Sequence, residues 1–100
     1  MAEHPLATIQ KIDPKIMDHL KDMSELIYCS GALSKKVKLL MAMAFDAAHG
    51  ADLGVRALAQ AAMNEGATKE EIGEALRVAY YLSGVGALYT ASNGLKDIVG

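Results

Sequence analysis

The chain has 100 residues, of which 52% are hydrophobic and 22% charged, with a formal net charge of −2 and one cysteine. This balance excludes intrinsic disorder, an electrostatic footprint for nucleic acid or anionic membrane, an internal disulfide, and any site built on a pair of thiols. The length predicts one domain over residues 1–100, or one building block of an assembly.

Met1 to Gln10 lacks a basic start followed by an apolar run. No signal peptide is read there, and the cytoplasm is the expected compartment. Strand signals are nearly absent, while seventeen alanines and recurrent 3.6-residue periodicity point to helices. The first predicted helix starts at Asp13-Pro14, an N-cap followed by the residue best suited to the first helical position. Its apolar face is Ile16, Leu20, Met23 and Ile27, and Ser30-Gly31 ends it.

The second predicted helix has Ser34 as N-cap and Gly50 just past its end. Val37, Leu40, Met41, Ala44, Phe45 and Ala48 form its stripe. Leu39 and Met43 widen it, so burial over most of the circumference is expected. The third predicted helix runs from about Asp52 to Glu65, with Val55, Leu58, Ala59, Ala62 and Met63 inward, and Gly66 ends it. The short link between these two helices predicts an antiparallel hairpin. Thr68-Lys-Glu-Glu71 is a capping box opening the fourth, which turns Ile72, Ala75, Leu76 and Ala79 inward. Ser83-Gly84-Val85-Gly86 breaks the chain. A last helix carries Leu88, Ala91, Leu95 and Ile98, with Asn93-Gly94 as a weak point inside it.

The fold class predicted is therefore all-α: a compact bundle of about five helices built around one hairpin. A small domain buries only about 60–65% of its unfolded surface, so a chain that is half apolar has more apolar area than its interior can hide. A homo-oligomer is the expected solution. Val78 to Leu95 carries no charge, but its serines, glycines and asparagine read as two helices packed against other helices or subunits rather than a membrane span.

Three segments, in order and in register, resemble the carboxymuconolactone decarboxylase family, including its alkylhydroperoxidase D-like branch. They are Gly31-Ala-Leu-Ser-Lys-Lys-Val-Lys38, Glu65-Gly-Ala-Thr-Lys-Glu-Glu-Ile72 with Glu74-Ala-Leu-Arg-Val78, and Ser83-Gly-Val-Gly-Ala-Leu-Tyr89. The resemblance implies an all-helical fold that assembles as dimers, trimers or hexamers. It also implies where chemistry would lie. Peroxidase members of the family place a CxxC at the start of the second hairpin helix, a Glu one helix earlier, and a His four residues after the second Cys. A helix start lowers a thiol's pKa, the second thiol resolves the first, and Glu with His relays protons. Here those positions hold Leu39 for Glu, Ala51 and Gly54 for the cysteines, and Leu58 for His. Leu58 also stands where the decarboxylating members carry a His.

Other residues could carry different chemistry. Cys29 reads as a small buried hydrophobe, with no cation beside it in sequence to activate it. Asp46, His49, Asp52 and Arg56 cluster at the hairpin turn and form the candidate pocket. A carboxylate–His pair there could act as a general base or as half a metal site; alternatively, Asp52 caps its helix and pairs with Arg56, and His49 sits at a helix C-terminus. His4 and His19 read as surface residues. Met17, Met23, Met41, Met43 and Met63 read as core and interface filler. Tyr80, Tyr81 and Tyr89 could wall a small apolar pocket or serve an interface. No metal site, cofactor, nucleic acid or membrane partner is expected.

Two functions follow. One is a homo-oligomeric, catalytically silent binding or assembly protein with a possible small-molecule ligand. The other is a non-thiol enzyme acting on a small lactone or carboxylate, with His49 or Asp46 as base and Arg56 as anion clamp. Peroxidase chemistry through Cys29 is disfavoured for want of a resolving thiol.

Overall fold

The computed structural model describes residues 4–99. Six helices lie among them: α1 (Ala7–Ile12), α2 (Pro14–Tyr28), α3 (Lys35–Ala48), α4 (Asp52–Asn64), α5 (Lys69–Ser83) and α6 (Gly86–Gly94). The last five are the predicted ones. α1 is additional. It has six residues and no side-chain cap, too short for periodicity to reveal and without a capping signal to mark it.

The helix starts follow from hydrogen-bond satisfaction. Free N–H groups at a helix start need acceptors. Asp13 accepts from the backbone N–H of Lys15 and Ile16 at 3.1 and 3.4 Å, with Pro14 opening α2. Ser34 accepts from Val37 at 3.2 Å. At Thr68 both halves of the capping box form: Glu71 N–H donates to the Thr68 hydroxyl at 3.1 Å, and Thr68 N–H donates to the Glu71 carboxylate at 2.9 Å. Lys36 of α3 also donates to Glu71, at 2.9 Å. The Lys36 ammonium first, and the Thr68 N–H after it, hold the Glu71 carboxyl below its ordinary range. Thr68→Ala is expected to lower stability by about 0.5–2 kcal/mol. Denaturant midpoints measured at equal protein concentration check this; unchanged midpoints would mean the box contributes nothing.

α3 and α4 make the most extensive helix contact. The turn at His49–Ala51 reverses the chain, helped by Gly50 at φ 80°. Asp46 near the end of α3 lies against Gly54 near the start of α4, and Leu39 near the start of α3 packs with Ala62 near the end of α4. The pair is therefore the antiparallel hairpin expected. α5 and α6 close over it. The core consists of Met43, Ala47, Val55, Ala59, Ile72, Ala79, Ala87, Ala91 and Leu95, continued by Leu39, Ala62 and Ala67. Most of these side chains are small, so the helices pack closely around a thin interior.

Three faces differ from expectation. On α2 the predicted inner residues are largely exposed: Ile16 53%, Leu20 40%, Met23 43% and Ile27 50%. α2 instead turns Met17, Ser24 and Tyr28 toward the rest of the chain, about a quarter turn away at 100° per residue. On α3 the buried residues are Leu39, Met43 and Ala47, while Val37, Met41 and Phe45 face outward. α3 is apolar nearly all round, and periodicity alone does not say which side its own chain covers. On α6 the core takes Ala87, Ala91 and Gly94 and leaves Leu88 outside. Leu95 and Ile98 lie beyond the helix end but still pack on the core.

The outward faces add up. A closed monomer of 10.6 kDa exposes roughly 5,500 Å², and this chain exposes 6935 Å². The excess is on the order of 1,400 Å², and exposed large apolar side chains contribute to it. The uncharged stretch Val78 to Leu95 spans the end of α5 and all of α6. No described helix is long and apolar enough to cross a membrane.

Candidate functional site

The hairpin turn places the residues singled out from the sequence. Leu39 is 4% exposed and forms a buried cluster with Ala62 and Ala67, against which Tyr28 and Leu58 pack. Leu58 is half-buried between the two halves of the core. Ala51 is the N-cap residue of α4 and supplies no side-chain cap. Gly54 lies under Asp46: a Cβ built there would meet the Asp46 carboxylate, with Cγ at 2.9 Å. The carboxylate thus occupies the space a side chain at position 54 would need.

The polar cluster around the turn does not assemble as one unit. Asp46 is half-buried, and among the described residues no side-chain hydrogen bond or ion pair engages it or joins it to His49. His49 is exposed and is the C-cap residue of α3, its ring 6.3 Å from that of Phe45. The expected Asp52–Arg56 pair does not form. Asp52 accepts from its neighbour's N–H, Leu53, at 2.9 Å, and through its other oxygen from Asn93 of α6. Arg56 donates to the backbone carbonyls of Gly94 and Lys96 at 3.3 and 2.6 Å. The physical reason is the end of α6: its last carbonyls have no intrahelical partner, and a guanidinium satisfies them and complements the helix dipole. Sequence spacing shows only local partners, so the role of Asn93 was missed. The Asn-Gly pair read as a weak point is where α6 is fastened to α4.

A second place combines polar and apolar groups. An open cleft of about 450 Å³ lies between α2 and α3, lined by Lys21, Ser24, Glu25, Tyr28, Cys29, Lys35 and Leu39. Cys29 is exposed at its rim, not buried as its sequence neighbours suggested. The α2–α3 connection turns it outward: Lys38 donates to the Cys29 carbonyl at 2.7 Å, and the Lys35 N–H to Ser30 at 3.1 Å. Burial first, and Asp46 second, push the Tyr28 phenol above its ordinary range. Tyr80, Tyr81 and Tyr89 are exposed and wall no described pocket. Among the described residues no group of three His, Cys, Asp or Glu could hold a metal ion.

The sequence model of the carboxymuconolactone decarboxylase family matches residues 14–97. The chain belongs to the carboxymuconolactone decarboxylase family. The match takes in α2 through α6 and leaves out α1. A crystal structure of a carboxymuconolactone decarboxylase family protein from Legionella pneumophila, in its apo form, is similar to the whole arrangement. Its TM-score is 0.81 at 32% identity, covering 91% of this chain and 81% of that one. No curated protein matches the chain. Membership fixes the family fold, and with it the hairpin of α3 and α4 on which Leu39, Ala51, Gly54 and Leu58 sit.

Proposed function

We propose that this chain is a homo-oligomeric member of the carboxymuconolactone decarboxylase family without the family's thiol or histidine chemistry, and that it works by binding or assembly. The observation that carries the reading is the packing at the hairpin. At the positions corresponding to the peroxidase relay, Leu39 is a core residue, Leu58 is half-buried against the core, and the Asp46 carboxylate lies over Gly54. Repeated peroxide turnover by the family's route needs a thiolate stabilised by a helix start or a nearby cation, and a second thiol to resolve the sulfenic acid. Cys29 is the sole cysteine and lies beyond the C-terminal end of α2, the end of a helix that disfavours an anion. The alternative, a non-thiol enzyme acting on a small lactone or carboxylate, needs Arg56 as anion clamp. Its engagement with the α6 carbonyls speaks against that role. The excess exposed area supports assembly.

The expected outcome is no repeated peroxide turnover with a dithiol reductant, by wild type or by Cys29→Ser. Turnover by the wild type that Cys29→Ser abolishes would overturn the reading. So would a stable 10.6 kDa species in light scattering at micromolar concentration, which would remove the oligomer.

A further inference from the structure

Two apolar stripes on this chain have the same length and spacing and cannot meet within one copy. On α2, Ile16, Leu20, Met23 and Ile27 follow one another at steps of four, three and four residues. On α3, Val37, Met41, Ala44 and Ala48 repeat those steps, with Phe45 beside them. Each stripe is about 16 Å long at 1.5 Å per residue. Met41, Ala44, Phe45 and Ala48 of α3 form one wall of a groove of about 310 Å³, whose other wall includes Val78 and Leu82 of α5. None of the groove's lining residues is charged. Lys15, Asp18, Lys21, Asp22 and Glu25 all fall off the α2 stripe, so the helix presents an uncharged ridge to an uncharged furrow.

Geometry within the chain keeps them apart. α2 reaches α3 through Tyr28, which packs against the cluster of Leu39, Ala62 and Ala67 and lines one cleft with Leu39. At 100° per residue, Leu39 lies on roughly the opposite side of α3 from Met41 and Phe45. The hydrogen bonds at Cys29, Ser30 and Gly31 hold the connection in that form. The α2 stripe is itself about a quarter turn from the side of α2 that faces its own chain.

We propose that the α3–α5 groove receives the α2 arm of a second copy, and that the exchange is reciprocal about a two-fold axis. This rests on the oligomeric reading above and names its interface. Each copy supplies one ridge and one furrow, so a pair closes with no unfilled site. The area available is sufficient: a stable interface needs about 800 Å² from each partner, and over its whole surface one chain exposes on the order of 1,400 Å² more than a closed monomer of its mass. A partner of different sequence would leave one of the two matching surfaces of this chain bare; a second copy covers both.

Cysteine cross-linking in the full chain tests this, in a Cys29→Ser background. Leu20→Cys is combined with Met41→Cys, Phe45→Cys or Leu82→Cys in turn and oxidised. Leu20 is on α2, which meets the Leu39 side of α3, whereas Met41, Phe45 and Leu82 line the groove on the other side, so a disulfide between them must join two copies. A covalent dimer is expected from at least one double variant and from neither of its single variants. Phe45→Glu is expected to shift the scattering mass to 10.6 kDa with helical circular dichroism retained, since Phe45 is 62% exposed in the single chain. If the protein is oligomeric but Leu20→Cys cross-links only to itself, or no double variant cross-links, this interface is wrong and the oligomeric reading stands. A wild-type monomer would sink both.

Discussion

Met43→Ala is expected to lower folding stability by about 2–5 kcal/mol, the range for emptying a large buried aliphatic position. Met43 and Val55 are the largest fully buried side chains, both at 0% exposure. Around Met43 the core is mostly alanine: Ala47, Ala59, Ala79, Ala87 and Ala91. Short side chains cannot swing in to fill a cavity, and their helices are already in close contact, so little relaxation is available. Met43→Leu keeps most of the volume and is expected to cost less than about 1.5 kcal/mol. Chemical denaturation at one fixed protein concentration measures both, because the midpoint of any protein that self-associates depends on concentration. A loss under about 1 kcal/mol for Met43→Ala would show that this core repacks freely.

Gly94→Ala is expected to cost about 1–3 kcal/mol, the usual range for overpacking. An added Cβ would lie 2.5 Å from the backbone oxygen of Asp52 and 3.1 and 3.2 Å from Cβ and Cγ1 of Val55. One neighbour is backbone and the other is a fully buried side chain, so neither yields by rotating. The helices cannot easily part, because Asn93 holds Asp52 and Arg56 holds the carbonyls of Gly94 and Lys96. Gly54→Ala is the comparison. Its nearest neighbour is the Asp46 side chain, which can rotate away, so the expected loss is smaller. Thermal melts of the two variants decide the order; a larger loss for Gly54→Ala would show that Asp46 is held as firmly as the backbone at Asp52.

These two expectations mark how far the sequence could be read. Met43 was legible as apolar but not as the centre of the core, because it stood at the margin of the predicted stripe on α3. Gly94 was legible only as a weak point in a helix. The contact that explains it joins residues about forty positions apart, and no local pattern encodes that separation. The polar cluster shows the same limit. Asp52 and Arg56 stand four apart, the spacing of a helical ion pair, yet each finds a partner on α6. An exposed ion pair of this kind contributes little, whereas the unpaired carbonyls at the end of α6 need a donor.

By itself the sequence determined the features that depend on neighbours along the chain. Asp13, Ser34 and Thr68 start their helices, and Gly50 and Gly66 mark helix ends, because capping and left-handed turns are settled within a few residues. The three segments in register determined the family, now shown for residues 14–97. Only the tertiary structure decided which side of each helix is covered. An apolar stripe is equally well buried by its own chain or by another copy, since burial of apolar surface has no direction and no identity. On α2 and α3 the choice was made by the α2–α3 connection, which brings Tyr28 to the cluster of Leu39, Ala62 and Ala67 and leaves Leu20 and Phe45 facing outward.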